Sequence, residues 1–249
     1  MRIGARLPSD GAPTDVATAL ERAAGALGMR PGVVVRSPEG RSEQGIASLA
    51  NWASKIAHLL REDGGLSVGD PLGLDAPPGW TTASACLAAW WLGLVIVPAA
   101  DAEVVVRHDR RPPTPHARLE LIVGDAFDGT AVGSDPELAL TWRAQVLPDR
   151  PPPPERDGRL RALEVDGGHV DQATLLAAAR ADGRDRIGLL TTRDASEAPS
   201  AAALGALLAA AVLRPLVTGA TTVVVLDGGA VDDEGVTRWM RPDTLPPLD

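Results

Sequence analysis

The sequence predicts an α/β fold in which mostly parallel sheets are flanked by helices. Three observations predict it. Strand and helix signals alternate along most of the 249 residues, the order that builds parallel sheets through crossover helices. The segment 94–97 (LVIV) is short and wholly apolar, as a strand covered on both faces must be. The segment 80–92 (WTTASACLAAWWL) is apolar nearly all round, which predicts a helix buried on most sides.

The elements follow in order. Thr14 or Asp15 caps a helix running through Leu27, with Val16, Leu20, Ala23, Ala24 and Leu27 on one face. Residues 33–35 (VVV) read as a strand, 38–40 (PEG) as a turn, and the run to Ile46 as its hairpin partner. A helix begins at Ser48, with Leu49, Trp52, Ala53, Ile56 and Leu60 as one apolar stripe, and Gly64 and Gly65 end it. Lys55 lies nearly opposite that stripe and is expected to be solvated; His58 lies well off it, beside Arg61 and Glu62. Residues 71–76 form a strand, and Pro77, Pro78 and Gly79 lead into the buried helix. Two further strands, 103–107 and 119–123, enclose a surface loop through 110–115 (RRPPTP).

Residues 148–158 (PDRPPPPERDG) are Pro-rich and charged. They read as an extended, solvated connector in preference to an SH3-type ligand. Beyond them come a strand at 160–165, a helix at 171–181, a strand at 187–191, a buried helix at 201–213 and a strand at 221–226. The acidic, Pro-rich tail 228–249 is expected to fray. The organisation expected is a single α/β domain over 1–249, with sublobes 14–147 and 160–249 joined by the linker 148–159.

Composition excludes several classes of chemistry. The formal charge of -9 argues against nucleic acid, whose phosphates need clustered cations. With six Trp, one Phe and no Tyr, the core must be built from Ala, Leu and Val. A lone cysteine, Cys86, excludes an intrachain disulfide and a Cys-based zinc site, and reads as an inert core thiol. Residues 1–15 lack the apolar core of a signal peptide, and the apolar runs 86–100 and 201–213 fall short of the roughly 18–20 residues of a membrane span. A cytoplasmic protein is expected. All basic residues but Lys55 are arginine, the mark of a GC-rich coding genome. Any mechanism that needs a lysine must use Lys55.

Common catalytic motifs are missing. One lysine flanked by Ser54 and Ile56 rules out a G-x-x-x-x-G-K-[ST] loop, and neither G-x-G-x-x-G nor G-x-S-x-G occurs. Gly124, Gly129 and Gly133 suggest a flexible loop. Among His58, His108, His116 and His169, the metal candidates are His108 with Asp109 and His169 with Asp171, set against surface or capping roles. Asp232, Asp233 and Glu234 lack the alternating ligands of a calcium loop and read as a solvated acidic run. One loop keeps functional interest. Thr191, Thr192, Arg193 and Asp194 follow a strand, at the carboxyl end where α/β sheets bind ligands. There Arg193 is placed to pair with a carboxylate. The plainer alternative makes Arg193 and Asp194 local loop charges and Ser196 or Ser200 a helix cap.

The segments 48–70 (SLANWASKIAHLLREDGGLSVGD) and 77–98 (PPGWTTASACLAAWWLGLVIVP), with the strand between them and the Gly93-x-x-x-x-Pro98 phrase, resemble the N-terminal part of the adenylate-forming superfamily. That superfamily holds acyl-CoA synthetases, luciferases and nonribosomal peptide adenylation domains. Residues 169–179 (HVDQATLLAAA), 185–192 (DRIGLLTT) and 213–225 (LRPLVTGATTVVV) resemble the region just after its phosphate loop, most specifically around Leu216, Gly219 and Ala220. The resemblance covers most of the chain but only the first half of a family member. It implies a truncated relative, close to a group of short proteins of GC-rich bacteria.

The departures define the expected function. The family's ATP-binding signature is a Ser/Thr/Gly-rich loop ending in Pro-Lys-Gly, placed just before the helix that here starts near Asp171. Its glycines admit phosphate, its hydroxyls donate and its lysine neutralises charge. Residues 151–170 contain no Ser, Thr or Lys; Gly167 and Gly168 suit a turn, and Glu164 and Asp166 repel a triphosphate. The later adenine and ribose motifs and the lysine-bearing lid find no counterpart. The resemblance with these losses implies a pseudoenzyme: a non-catalytic binding or interaction module without cofactor, for a small carboxylate or acyl ligand. The alternative is a residual acyl- or adenylate-forming ligase using ATP or AMP, completed by a partner chain. A truncated sheet leaves an edge, so self-association through the C-terminal half is expected.

Overall fold

The computed structural model describes residues 11–38, 40–124, 137, 139–165, 167–181, 186–191, 201–227, 236 and 238–241. Helix α1 (Val16–Leu27) begins where the Asp15 carboxylate accepts the Thr18 N–H at 2.7 Å, and buries Val16, Leu20, Ala23 and Leu27. Strands β1 (Pro31–Ser37) and β2 (Gly40–Gly45) pair antiparallel and lead directly into α2 (Ile46–Glu62). Then come β3 (Pro71–Asp75), α3 (Trp80–Trp91), β4 (Val95–Pro98), β5 (Val104–His108), β6 (Leu119–Val123) and α4 (Leu140–Ala144). A second hairpin, β7 (Arg161–Val165) and β8 (Gly168–Asp171), precedes α5 (Gln172–Ala181) and β9 (Ile187–Thr191). Helix α6 (Ala201–Leu208), a π-helical turn (Ala209–Leu213), α7 (Arg214–Thr218), β10 (Thr222–Leu226) and β11 (Arg238–Met240) complete the described chain.

Two sheets result, ordered β11-β9-β10-β1-β2 and β6-β5-β3-β4-β7-β8. Neighbours are parallel except in the two hairpins, β1–β2 and β7–β8. Each sheet draws strands from both sides of 148–159. The α/β architecture with mostly parallel sheets and flanking helices is thus present. One apolar cluster joins α1, α2, α3, α5 and the helical run 201–218 to Val33 and Val224 of the first sheet and Leu72, Ile96, Val104 and Leu163 of the second. Every residue of α3 is buried. The opposite sheet faces carry small clusters of their own: Val34, Val223 and Val225 on the first sheet, Val95, Val97 and Ala102 on the second. No described helix is long and apolar enough to cross a membrane.

The structure departs from the sequence reading at four places. The helix expected over 201–213 continues to Thr218, because a π turn shifts the register where Pro215, lacking an N–H, would break an α-helix. Arg214, just past the apolar run, is fully buried. Part of the tail expected to fray is a strand: β11 pairs parallel with β9, and the Trp239 ring lies over Gly188, where a Cβ would sit 2.2 Å from it. The segment 148–158 is extended and mostly exposed, as expected, but it is not a free connector, being tied to α2 and α3. Lys55 is not a solvated lysine, since it makes several of those ties; its side chain is only 15% exposed.

Candidate functional site

The ties on 145–158 come from one face of α2 and the end of α3. The Lys55 ammonium donates to the carbonyls of Gln145 and Leu147, each at 2.9 Å, and meets Asp149 Oδ1 at 2.8 Å. One turn on, His58 Nε2 bonds the Arg150 carbonyl at 2.9 Å while its Nδ1 faces Glu62 at 3.0 Å. Ser54 reaches the Pro148 carbonyl, and Trp91 Nε1 donates to the Pro152 carbonyl at 2.8 Å. An ammonium can serve three acceptors at once, and the bend of the segment places three oxygens around Lys55. The sequence reading missed these residues. Their signal was Lys55 itself, the chain's one lysine; the segment it holds is 90 residues away in sequence and close only in space.

The β7–β8 hairpin occupies the place where the family resemblance puts a phosphate loop. Val165 pairs with Gly168, so only two residues span the turn, and Gly167 takes the left-handed conformation with φ +74°. The next step is the N-terminus of α5, where first-turn N–H groups usually await an anion or a cap. Here they are engaged. Gln172 N–H donates to the Leu160 carbonyl at 3.1 Å and Ala173 N–H to the Gly158 carbonyl at 3.0 Å. Thr174 N–H donates to Asp171 Oδ1 at 2.7 Å. That carboxylate is a helix cap, the plainer of the roles expected for Asp171 beside His169.

The remaining sequence candidates are placed as follows. Thr191 ends β9, beside Leu226 of β10; Thr192, Arg193 and Asp194 lie outside the described residues, as do Ser196, Ser200, Gly129, Gly133 and 232–234. His108 and Asp109 do come together: His108 Nδ1 lies 3.2 Å from Asp109 Oδ1, with both side chains buried. Among the described residues no three His, Cys, Asp or Glu side chains gather for a metal. Cys86 is buried in α3, and burial pushes its thiol up to about 12, which suits a core residue and not a nucleophile.

Two adjoining cavities, of about 600 and 500 Å³, lie against the second sheet and share Pro71 and Asp101. The larger has Val95 and Val97 as floor, with Arg159, Arg161 and Glu164 at the rim; the smaller is lined by Asp70, Glu103, His116 and Arg118. Both reach the first residues of their strands, Pro71 of β3 and Val95 or Val104 of β4 and β5. The larger one extends over the sheet face to Val97, Glu164 and Gly167, whereas the sequence candidate Thr191 lies in the first sheet. Rim charges are paired: Arg161 meets Glu164 at 3.3 Å, and Arg159 grips Asp157 through two guanidinium bonds of 3.0 and 2.9 Å. Those bonds, with the Arg159 N–H, hold the Asp157 carboxyl down to about 2.

No family model matches the sequence, and no curated protein matches it significantly. Solved structures do match. The acyl-CoA synthetase of Brucella canis superposes with a TM-score of 0.64 at 17% identity, over 90% of this chain and 45% of its own. A long-chain-fatty-acid-CoA ligase of Archaeoglobus fulgidus gives 0.64 at 15% identity, over 90% and 49%. The N-terminal domain of FACL13 from Mycobacterium tuberculosis gives 0.58 at 16%, over 84% and 56%. The chain spans about half the length of these structures. It has the fold of the N-terminal part of the acyl-CoA synthetases and ligases.

Proposed function

We propose that the chain is a non-catalytic binding module on the N-terminal acyl-CoA synthetase fold, taking a small carboxylate or acyl compound without activating it. The observation that carries this reading is the corner between β7 and α5. A two-residue turn replaces a phosphate loop, and the first three N–H groups of α5 already have partners inside the chain. A triphosphate there would meet Glu164 and find no hydroxyl or ammonium in 151–170. No nucleotide cofactor follows from this reading, and its setting is a cytoplasmic one without nucleic acid or membrane. The test is ATP–pyrophosphate exchange by the purified chain with a panel of carboxylic acids. No exchange is expected; clear exchange overturns the reading. A thermal-shift series with ATP, AMP, CoA and acyl-CoA then sorts ligand classes, and a shift with acyl-CoA but not with ATP is the expected pattern.

A second reading rests on the chain's spanning about half of the matched structures: a partner chain supplies the phosphate donors and the lysine, and the pair acts as a ligase. Co-purification from native extract decides it. A stable partner that confers pyrophosphate exchange supports it, and an isolated chain, monomeric or self-associated, removes it. Self-association is read from light scattering at high concentration.

A further inference from the structure

We propose that 145–158 is a latched strap, which opens locally before the rest of the fold and leads directly into Arg159 and Leu160 in the wall of the larger cavity on the second sheet. The strap contains neither helix nor strand, and Pro152 is its one buried residue. Its outward carbonyls at Gln145, Leu147, Pro148, Arg150 and Pro152 are held by the side chains of Lys55, Ser54, His58 and Trp91. Its backbone donates in turn, from Glu155 N–H to the Trp91 carbonyl at 2.9 Å, and the exposed Arg156 guanidinium meets Glu21 of α1 at 2.8 Å. Polar, water-exchangeable attachments with little apolar burial belong to the low end of local stability. Five prolines, Pro148 and 151–154, restrict the released strap, so it closes again with a modest loss of freedom. Lys55 is the latch, since one ammonium holds two carbonyls and a carboxylate.

The strap also reaches the cavity. Gly93 packs so closely against it that a Cβ there would lie 3.2 Å from both Glu155 Cγ and Leu160 Cδ1. Arg159 and Leu160, the next residues on, line the cavity together with Gly93. Release at Lys55 thus loosens the wall formed by 159–160. The device is independent of whether the chain has catalytic activity.

The test is amide hydrogen exchange on the full chain, wild type against Lys55→Met and Trp91→Phe. Each variant removes strap bonds and keeps most of the apolar body. In the wild type, Glu155 and 145–150 are expected to exchange faster than α3. In both variants Glu155 and Ala173, whose N–H bonds Gly158, accelerate: about tenfold or more in Lys55→Met, which loses charge-assisted bonds, and a few-fold in Trp91→Phe, which loses a neutral one. Residues 159–160 accelerate with them, α3 stays protected, and Cys86 stays inert to a thiol reagent. Equal rates for strap and α3 in the wild type, no change in the variants, or an equal rise at α3 and Cys86 each overturns the proposal. If one variant fails to fold, the other and the wild-type profile decide.

Discussion

Gln172→Met should lower stability by about 2–4 kcal/mol, although methionine fills nearly the same volume. Gln172 is fully buried at the start of α5. Its Oε1 accepts the Val16 N–H at 2.8 Å and its Nε2 donates to the Trp90 carbonyl at 2.9 Å. One side chain therefore joins α1, α3 and α5 across the strap. Methionine leaves the Val16 N–H buried without an acceptor, at about 1–3 kcal/mol. The Trp90 carbonyl loses less, about 0.5–1.5 kcal/mol, because the Gly93 N–H still reaches it at 3.2 Å. For a chain of this size the sum corresponds to a fall of about 5–15 °C in melting temperature. Urea unfolding followed by tryptophan fluorescence measures it, with an unchanged slope showing that the same surface is exposed. Gln172→Glu should be worse at neutral pH, where its carboxylate faces the Trp90 carbonyl, and should recover in part as acid returns a donor proton. A loss under about 1 kcal/mol for Gln172→Met would refute the claim that these two bonds hold the halves together.

Three further outcomes follow. Cys86, with its thiol at about 12 and no exposed surface to speak of, should not react with a thiol reagent at pH 8 until the chain is unfolded; reaction in the native state refutes its placement. Burial alone would raise the Glu120 carboxyl, but two bonds from Arg107 and one from the Thr114 N–H outweigh it and lower the pKa below 4.5. Its stabilising effect is therefore complete above the unfolded value and lost as pH falls through the lower folded one, so Glu120→Gln should flatten acid unfolding below about pH 4.5; an unchanged acid curve contradicts this. Gly188→Ala places a methyl 2.2 Å from the Trp239 ring and should cost about 1–3 kcal/mol by lifting β11 off β9, visible as a change in tryptophan emission; an unaltered spectrum and midpoint would show that the tail is not docked there.

The elements were legible in the sequence wherever one local signal dominated. The stripe Leu49, Trp52, Ala53, Ile56 and Leu60 is buried but for the half-buried Trp52, and the run 80–91, apolar nearly all round, is buried throughout. Asp15 caps α1 because its carboxylate can reach N3 from an extended backbone. What escaped was set by long-range geometry. Lys55 reads as solvent-facing on its own helix, and it is; the strap arrives from 90 residues away and covers it. Proline-rich composition signals an extended path, not whether that path is free, and here donors from Ser54 to Trp91 fix it. The cavities have no local signature either: the larger one brings Val95 and Val97 of β4 together with Arg159, Arg161 and Glu164 from beyond the strap.

The corner at α5 has a counterpart that explains its form. The order strand, short antiparallel strand, helix, strand occurs twice, as β1–β2–α2–β3 and as β7–β8–α5–β9. The first copy places its hairpin in one sheet and its last strand in the other; the second copy does the reverse. Both helices start in the same way. Ile46 N–H donates to Arg30, just before β1, and Ala47 N–H to Gly28, two residues earlier; Gln172 donates to Leu160, just before β7, and Ala173 to Gly158. A Cβ on Gly45 would sit 2.7 Å from the Met29 carbonyl, and one on Gly158 would sit 2.4 Å from that of Thr14. The engaged donors of α5 are thus part of a corner used twice to seat a helix on a hairpin. Restoring an anion site would require lengthening the β7–β8 turn and breaking the bonds to Leu160 and Gly158 together. A single Gly167→Lys exchange adds charge without freeing a donor, so it should leave pyrophosphate exchange absent; its appearance in that variant would show the corner to be far softer than its hydrogen bonds imply.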